Sequence, residues 1–243
     1  GLASTKPHPR RDAERYTCPF CEGREEQSPP ELFAYRRAET RVNAPGWSLR
    51  VVPNKFPAVR DLTGHGHGHG TLFESFPGFG RHEVVIECPR HESNPAHLSD
   101  AELGRVFAAY RERLLALTDD PRVEFVSIFK NVGAEAGASL AHSHSQLIAL
   151  PVVPEVMQWE LNGARSYFEA HNRCLFCDMI ERECRDRIRV IAETRGFVAI
   201  APYASRFAYE IWVLPKSHES RYESLTAAAA KKYDAADASG STT

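Results

Sequence analysis

Two histidines and a glutamine alternate along one short apolar segment, and these residue types are well suited to chemistry at phosphorus or at a metal. The segment reads Ala-His-Ser-His-Ser-Gln-Leu-Ile-Ala-Leu and contains His142, His144 and Gln146. A β-strand repeats every two residues, so the three side chains are predicted to share one strand face. From spacing alone, the histidines can be two metal ligands, one ligand beside a nucleophile, or two half-buried structural residues.

A glycine-containing loop precedes this strand and is suited to bind an anion. An apolar run over residues 123–129 is followed by Asn131, Gly133 and Gly137, and then by Ser139. Glycines let backbone amides approach an anion closely, and asparagine and serine side chains can add hydrogen bonds. The loop therefore predicts a site for a phosphate-sized ligand.

Four of the six cysteines form two pairs with two-residue spacing, Cys18 with Cys21 and Cys174 with Cys177. This spacing lets two thiolates bind one tetrahedral ion, and an intracellular chain favours a metal over a disulfide. Cys88 lies in an apolar segment and is predicted to be a core residue.

Composition excludes several classes of partner. The chain has 243 residues with 30 Lys and Arg, 32 Asp and Glu, and a net charge of -2, so it has no general basic field for nucleic acid. No apolar run reaches the about 20 residues of a membrane helix, and the first residues lack a signal-peptide core. The sequence therefore predicts a cytoplasmic protein that binds neither nucleic acid nor membranes.

The elements that must position these residues indicate an α+β protein. Four strands are predicted in the first part of the chain, at residues 47–52, 81–88, 123–129 and 142–150. A helix is predicted from Ser99, with Glu102 completing a capping box, to about Leu117. Its predicted buried stripe consists of Leu103, Phe107, Tyr110, Leu114 and Leu117.

The second half of the chain repeats the order of motifs in the first. After the second cysteine pair come two predicted strands, at 197–201 and 209–214, and then the segment Pro215-Lys-Ser-His218. This order predicts two copies of one α+β unit, each an antiparallel sheet with helices. The second copy is predicted to be truncated, because it has no counterpart of the strand with two histidines. We therefore expect a mobile arm at 1–15, a catalytic repeat at 16–155 and a partial repeat at 156–243.

Several independent motifs, in this order, resemble the galactose-1-phosphate uridylyltransferase family of the histidine-triad superfamily, including its ADP-glucose phosphorylase relatives. They span roughly residues 16–225. The motifs are Cys18-Pro-Phe-Cys21, Val52-Pro-Asn-Lys-Phe-Pro57, Val84-Val-Ile-Glu-Cys-Pro-Arg-His91, Asn131 to Ser139, His142-Ser-His-Ser-Gln146 and Pro215-Lys-Ser-His218. The resemblance implies two histidine-triad-like repeats and a nucleotidyltransferase acting on a nucleotide sugar and a sugar 1-phosphate or phosphate. The sequence is compatible with a homodimer and does not determine the oligomeric state.

Metal sites follow from the same resemblance. Four residues supply the ligand count of a closed structural zinc site, and the resemblance implies the same four, Cys18, Cys21, His91 and His142. An ion bound to His142 would hold the strand that presents His144. Relatives with two zinc ions imply a second site at Cys174, Cys177 and His218. His171 is a candidate fourth ligand there, whereas His82 and His97 are predicted to be unpaired residues at the surface or at a strand edge.

The resemblance makes His144 the nucleophile and Gln146 its catalytic neighbour. A neutral imidazole can attack the α-phosphorus of a nucleotide sugar through one nitrogen if the other keeps its proton on a backbone carbonyl. Gln146 takes the position of a third histidine in hydrolytic members. An amide binds phosphoryl oxygens but cannot protonate a leaving group, which favours transfer over hydrolysis. Substrate contacts are expected at Gln146 and at Asn54, Phe56, Asn131, Gly133 and Ser139.

The residues between the histidines bear on the choice of nucleotide. Family members that use UDP-glucose typically read His-Pro-His-Gly-Gln, whereas this chain has Ser143 and Ser145, as in the ADP-glucose phosphorylase relatives. The first prediction is uridylyl transfer between UDP-glucose and a hexose 1-phosphate through a nucleotidyl-His144 intermediate. The alternatives are adenylyl transfer from ADP-glucose to phosphate and a zinc-containing nucleotide-binding module without activity.

Overall fold

The computed structural model describes residues 18–61, 68–69, 74–75 and 78–224, so the predicted arm at 1–15 lies outside the described residues. The chain divides into two compact units, Gly1–Val152 and Val153–Thr243. Both contain helices and antiparallel strands, which confirms the predicted α+β class. No helix in the described ranges is long and apolar enough to cross a membrane.

The first unit is built on a five-stranded antiparallel sheet. The strands described in this unit are, in chain order, β1 (Phe33–Arg36), β2 (Trp47–Pro53), β3 (Gly68–His69), β4 (Glu74–Ser75), β5 (Arg81–Ile86), β6 (Phe125–Phe129) and β7 (His144–Leu150). The main sheet has the order β1-β2-β5-β7-β6, and β3 pairs separately with β4. Strand β7 begins two residues later than predicted, because the N–H of Ser143 bonds the Glu92 carbonyl outside the ladder.

Among the described residues of this unit, one α-helix, α1 (Asp100–Thr118), is present, and it confirms the predicted capping box. The Ser99 side chain accepts from the Glu102 N–H, and the Glu102 carboxylate accepts from the Ser99 N–H. The predicted stripe is only partly right: its members other than Leu117 are half-buried, and the buried residues are Gly104, Val106, Ala109 and Leu117. Small side chains let the helix lie close to the sheet, which moves its larger neighbours to the flanks.

The two faces of the sheet have different roles. One face packs against α1 through a core of Leu49, Val51, Val85, Val106, Ala109, Leu117, Leu147 and Ala149. Burying each large aliphatic side chain stabilises the fold by about 1.5–3 kcal/mol. Because side chains alternate along a strand, β7 turns His144 and Gln146 to the other face. That face carries a smaller cluster around Trp47, Val52, Val84 and Ile86 and remains accessible to a ligand.

The second unit is smaller. It contains α2 (Glu155–His171), α3 (Leu175–Asp186), β8 (Val190–Glu193), β9 (Phe197–Ile200) and β10 (Trp212–Pro215). The three strands form an antiparallel sheet in the order β10-β9-β8 around a core of Ile180, Val198 and Ile200. Strand β10 begins at Trp212 and not at Tyr209 as predicted, because Tyr209 has a left-handed backbone with φ of 64°. As with β1, β2 and β5 of the main sheet in the first unit, the strands of this sheet that follow one another in the chain are neighbours. The internal repeat of one α+β unit stays a prediction.

An ion pair at the start of α1 gives a pH-dependent prediction. Arg90 Nη2 donates to Glu102 Oε2 at 3.0 Å, and this contact lowers the pKa of Glu102 to about 2. Because the folded pKa lies below the ordinary value of about 4.3, ionised Glu102 stabilises the fold above that pH and loses its effect as the pH falls towards 2. Glu102→Gln should lower the unfolding free energy by about 1 kcal/mol at pH 7, since the partner Arg90 is nearly half exposed. Urea denaturation from pH 7 to pH 3 should show the difference shrinking, and a constant difference would contradict this assignment.

Candidate active site and metal centre

Four side chains of the first unit converge as a group that could hold a metal ion, and we call them the metal-binding group. The ligand atoms of Cys18, Cys21, His91 and His142 all lie within 4.8 Å of one another. The His142 Nδ1 atom lies 3.6 Å from Cys18 Sγ and 3.7 Å from Cys21 Sγ. His91 Nδ1 lies 3.5 Å from Cys21 Sγ. A tetrahedron with zinc bonds of about 2.3 Å to sulfur and about 2.1 Å to nitrogen has sulfur–nitrogen edges of about 3.6 Å, so these four residues fit a zinc ion.

The surroundings of His142 prepare it to be a ligand. Its Nε2 bonds the Cys88 carbonyl at 2.8 Å, which leaves Nδ1 directed at the thiols. Burial lowers the pKa of His142 to about 4, so the ring is neutral near pH 7, the form that binds a metal. Cys88 itself is fully buried, as predicted for a core residue, and lies outside the metal-binding group.

His144 follows two residues along the strand and is held in one orientation. Its Nδ1 donates to the His142 carbonyl oxygen at 2.7 Å, which leaves Nε2 with a free lone pair in the neutral ring. The ring edge also packs on Phe20, between the paired cysteines, at 5.4 Å between ring centroids. Only 7% of His144 is exposed. The geometry is that of an imidazole prepared to react through Nε2.

A cavity of about 620 Å³ opens beside His144. Its lining includes four of the predicted substrate residues, Asn54, Phe56, Ser139 and Gln146. Phe56 is 83% exposed, so its ring is available to a ligand. The sequence prediction missed several further lining residues, which are Pro19, Phe20, Glu26, Gln27, Ser28, Pro29, Val52, Pro53, Lys55, Val84 and Leu140. The cavity volume suits a nucleotide-sized ligand.

The glycine loop lies partly at a second cavity of about 350 Å³, whose lining includes Gly133, Ser139, Cys18 and His91. Gly133 has φ of 83°, a left-handed conformation that favours glycine. Asn131 is not part of the lining of either cavity, and its side-chain nitrogen bonds the Ala136 carbonyl within the loop. The structure therefore brings Gly133 and Ser139, but not Asn131, to these cavities.

A buried polar network supports the strand from its other face. The Glu87 carboxylate, 2% exposed, accepts from Ser143 Oγ and Ser145 Oγ, each at 2.7 Å. Lys130 pairs with the same carboxylate, and Tyr110 on α1 donates to Ser145 Oγ at 2.7 Å. Buried networks with satisfied partners hold their members rigidly. The two serines flank His144 in the sequence, and their hydrogen bonds to Glu87 therefore hold the backbone on both sides of it. The alternation of residues in the sequence did not reveal this role.

The structure corrects the prediction for His82. This residue is only 9% exposed, and its Nε2 lies 2.8 Å from Gln146 Oε1. A signal was available: in the predicted strand, His82 shares its face with Val84 and Ile86, which marks that face as buried. His97 is indeed at the surface, but it is paired with Glu92 at 3.3 Å.

A second group of possible ligands lies in the second unit. Cys174, Cys177 and His218 bring their ligand atoms together, with 3.2 Å between Cys177 Sγ and His218 Nδ1. Burial and the neighbouring Cys174 raise the pKa of Cys177. His171 is not part of the group, because its ring packs on Tyr167 at 4.4 Å between ring centroids. These three residues could hold a metal with one position left open.

The geometry agrees with comparisons to known proteins. A family model described as galactose-1-phosphate uridyl transferase, N-terminal domain, matches residues 6–154. The chain belongs to this family. The transferase match includes the first cysteine pair, His91 and the strand with His142 and His144, so the predicted resemblance is confirmed.

Relatives of this transferase family extend the match into the second unit. An ADP-glucose phosphorylase of Arabidopsis thaliana is 38% identical over 211 residues, which are 86% of this chain and 57% of the relative. A galactose-1-phosphate uridylyltransferase of Thermotoga maritima is 30% identical over 138 residues, 57% of this chain and 43% of the relative. A crystal structure of an Arabidopsis thaliana ADP-glucose phosphorylase with bound ADP-glucose superposes with a TM-score of 0.74 at 34% identity, over 93% of this chain and 66% of that one. The chain thus spans 43% to 66% of the length of these relatives.

Proposed function

We propose that this chain carries the catalytic part of a nucleotidyltransferase. The enzyme transfers a nucleoside monophosphate from a nucleoside diphosphate sugar to a sugar 1-phosphate or to phosphate. One observation carries the proposal: His144 is held on the His142 carbonyl with its Nε2 free, beside a nucleotide-sized cavity. Membership of the transferase family supports it.

The reaction proceeds by two displacements at one phosphorus atom. The Nε2 lone pair of His144 attacks the α-phosphorus, the P–N bond forms, and the P–O bond to the sugar phosphate breaks with its electrons on the departing oxygen. The Nδ1–H of His144 remains on the His142 carbonyl, which stabilises the positive charge that develops on the ring. An acceptor phosphate oxygen then attacks the same phosphorus, and the P–N bond breaks to restore the imidazole.

The leaving groups explain why an amide suffices at position 146. The sugar phosphate leaves as a stable anion in the first displacement, and the neutral imidazole of His144 leaves in the second, so neither needs a proton from Gln146. Hydrogen bonds to the phosphoryl oxygens are therefore the main contribution that Gln146 and the loop carrying Ser139 make to the transition state. Because the nucleotide stays in the cavity, the acceptor takes the position that the departing sugar phosphate has left.

In this proposal the metal-binding group positions His144 and takes no part in the transfer reaction. Cys18, Cys21, His91 and His142 would hold zinc, which supplies a fixed point at the start of β7. The four donors complete a tetrahedral set, so we assign no substrate contact to the ion. The role of this chain's own residues is to keep His144 rigid between the metal-binding group and the Glu87 network.

Two substrate pairs fit this site. UDP-glucose with a hexose 1-phosphate is the first candidate and follows from the uridylyltransferase relatives. ADP-glucose with phosphate is the second, and the specific observation in its favour is the 38% identity to an ADP-glucose phosphorylase over 86% of this chain. The third reading, a binding module without activity, conflicts with the preparation of His144 for attack.

Intact mass spectrometry tests the proposal directly. The protein is mixed separately with UDP-glucose and with ADP-glucose, with no acceptor present. We expect one of the two to leave a covalent nucleoside monophosphate on the protein, because the first displacement needs no acceptor. A uridylyl adduct supports the first candidate, and an adenylyl adduct supports the second. If neither sugar nucleotide labels a folded, zinc-loaded protein, the transferase proposal is wrong.

A further inference from the structure

Three polar side chains form a cluster on the sheet face that carries His144, which we call the active face: His82, Asn54 and Gln146. His82 Nε2 lies 2.8 Å from Gln146 Oε1, and Asn54 Nδ2 lies 3.3 Å from the same oxygen. Strand β5 pairs with β7 so that Val84 faces Gln146 and His82 faces Ile148. His82 is therefore the diagonal neighbour of Gln146 on one face, within reach of its side chain.

Two backbone N–H groups in the turn after β2 set the direction of these hydrogen bonds. The N–H of Ala58 donates to His82 Nδ1 at 3.1 Å, so in the neutral ring the proton of His82 lies on Nε2. The N–H of Phe56 donates to Asn54 Oδ1 at 2.9 Å, so the amide nitrogen of Asn54 points towards Gln146. Both side chains are thus oriented as donors towards Gln146 Oε1, and the 3.1 Å contact between Asn54 Nδ2 and His82 Nε2 joins two nitrogens that share this acceptor.

Two donors that face the end of the Gln146 side chain determine which of its two atoms turns towards them, and that atom is the oxygen. Gln146 has an oxygen and a nitrogen at its end, and either could face the cavity. With His82 and Asn54 donating, the oxygen is held inward and the NH₂ group is left for the cavity that Gln146 and His144 line. Among the described residues, no hydrogen-bond partner of Gln146 Nε2 is present. The reversed amide would place donors against donors and present a carbonyl to the phosphoryl oxygens.

We propose that His82 is a positioning residue that holds the Gln146 amide with its NH₂ group directed at the transferred phosphoryl group. The inference rests on the proposed function. His82 does not touch the substrate; it acts through Gln146, and its tautomer is determined by the backbone N–H of Ala58. Burial makes the arrangement effective, because little water reaches His82 to compete for the amide oxygen.

A double-mutant cycle on the labelling rate tests this assignment. The rate of adduct formation is measured by rapid quench with UDP-glucose or ADP-glucose, whichever labels the wild type, in His82→Phe, Gln146→Ala and the double variant. Loss of one oriented donor should slow labelling by about 100- to 1,000-fold in each single variant. Since both changes remove the same hydrogen bond to phosphate, the double variant should be no slower than Gln146→Ala. His82→Gln, which restores a donor, should recover most of the lost rate.

Controls separate this role from a structural one. His97→Phe changes an exposed histidine away from the cavity and should label at the wild-type rate. Zinc content and the melting temperature are measured for every variant, and His82→Leu replaces His82→Phe if that variant does not fold. The inference is overturned if the two losses multiply in the double variant or if His82→Gln is as slow as His82→Phe. In contrast, absence of any adduct on the wild type would remove the proposed function itself.

Discussion

Replacing His144 with asparagine should abolish the covalent adduct and lower the transfer rate by at least about 10⁴-fold. The estimate follows from the loss of the nucleophile, because no other step can form the P–N bond. Asparagine can still donate to the His142 carbonyl, so the strand and the metal-binding group should remain folded. The measurement is intact mass after incubation with the nucleotide sugar, together with steady-state transfer.

Two controls make this result specific. His97→Asn, at an exposed position, should label like the wild type. Zinc content and the far-UV circular dichroism of His144→Asn should match those of the wild type, which would separate lost chemistry from lost folding. Labelling that persists in a folded His144→Asn protein would show that another residue is the nucleophile.

Removal of zinc from the first group is expected to have the largest effect on stability. Structural zinc sites contribute an apparent binding free energy of about 10 kcal/mol or more. A typical domain has a total stability of about 5–15 kcal/mol. A strong chelator, or Cys18→Ala, should therefore unfold the first unit near room temperature. Thermal denaturation followed by circular dichroism, with metal analysis by mass spectrometry, checks this expectation.

Cys88→Ala is the matched control for this experiment. Cys88 is a buried cysteine of the same unit, but its thiol lies outside the metal-binding group. Its replacement should keep the zinc and cost about 1 kcal/mol through a small cavity. His218→Ala reports separately on the second group and should remove at most the second ion. A full chain that has lost the metal of the first group yet melts normally would refute the structural role of zinc.

The start of β7 in the first unit is held in place by contacts on both faces of the sheet. The metal-binding group holds His142 on the active face, and Glu87 holds Ser143 and Ser145 on the helix face. His144 lies between these contacts. This arrangement explains how a short segment can keep a nucleophile in place while the cavity beside it stays open to exchange of ligands.

Local features of the chain were predictable from the sequence. The shared face of His142, His144 and Gln146 follows from the two-residue period of a strand, and the capping box of Ser99 and Glu102 follows from spacing within one helical turn. The cysteine pair follows from the short loop that two thiolates on one ion require. Each of these depends on neighbours within a few residues.

Contacts between distant elements were decided only by the tertiary structure. Gln146 meets His82 because β5 and β7 pair in one register, and a shift of one residue would turn His82 to the other face. Glu87 meets Lys130 and the two serines because β5 and the end of β6 approach the start of β7 together. Burial then converts these polar residues from apparent surface groups into parts of the site. The sequence by itself determined which residues could react, and the packing of the sheet decided which residues hold them in the reactive orientation, because register and burial depend on the whole fold.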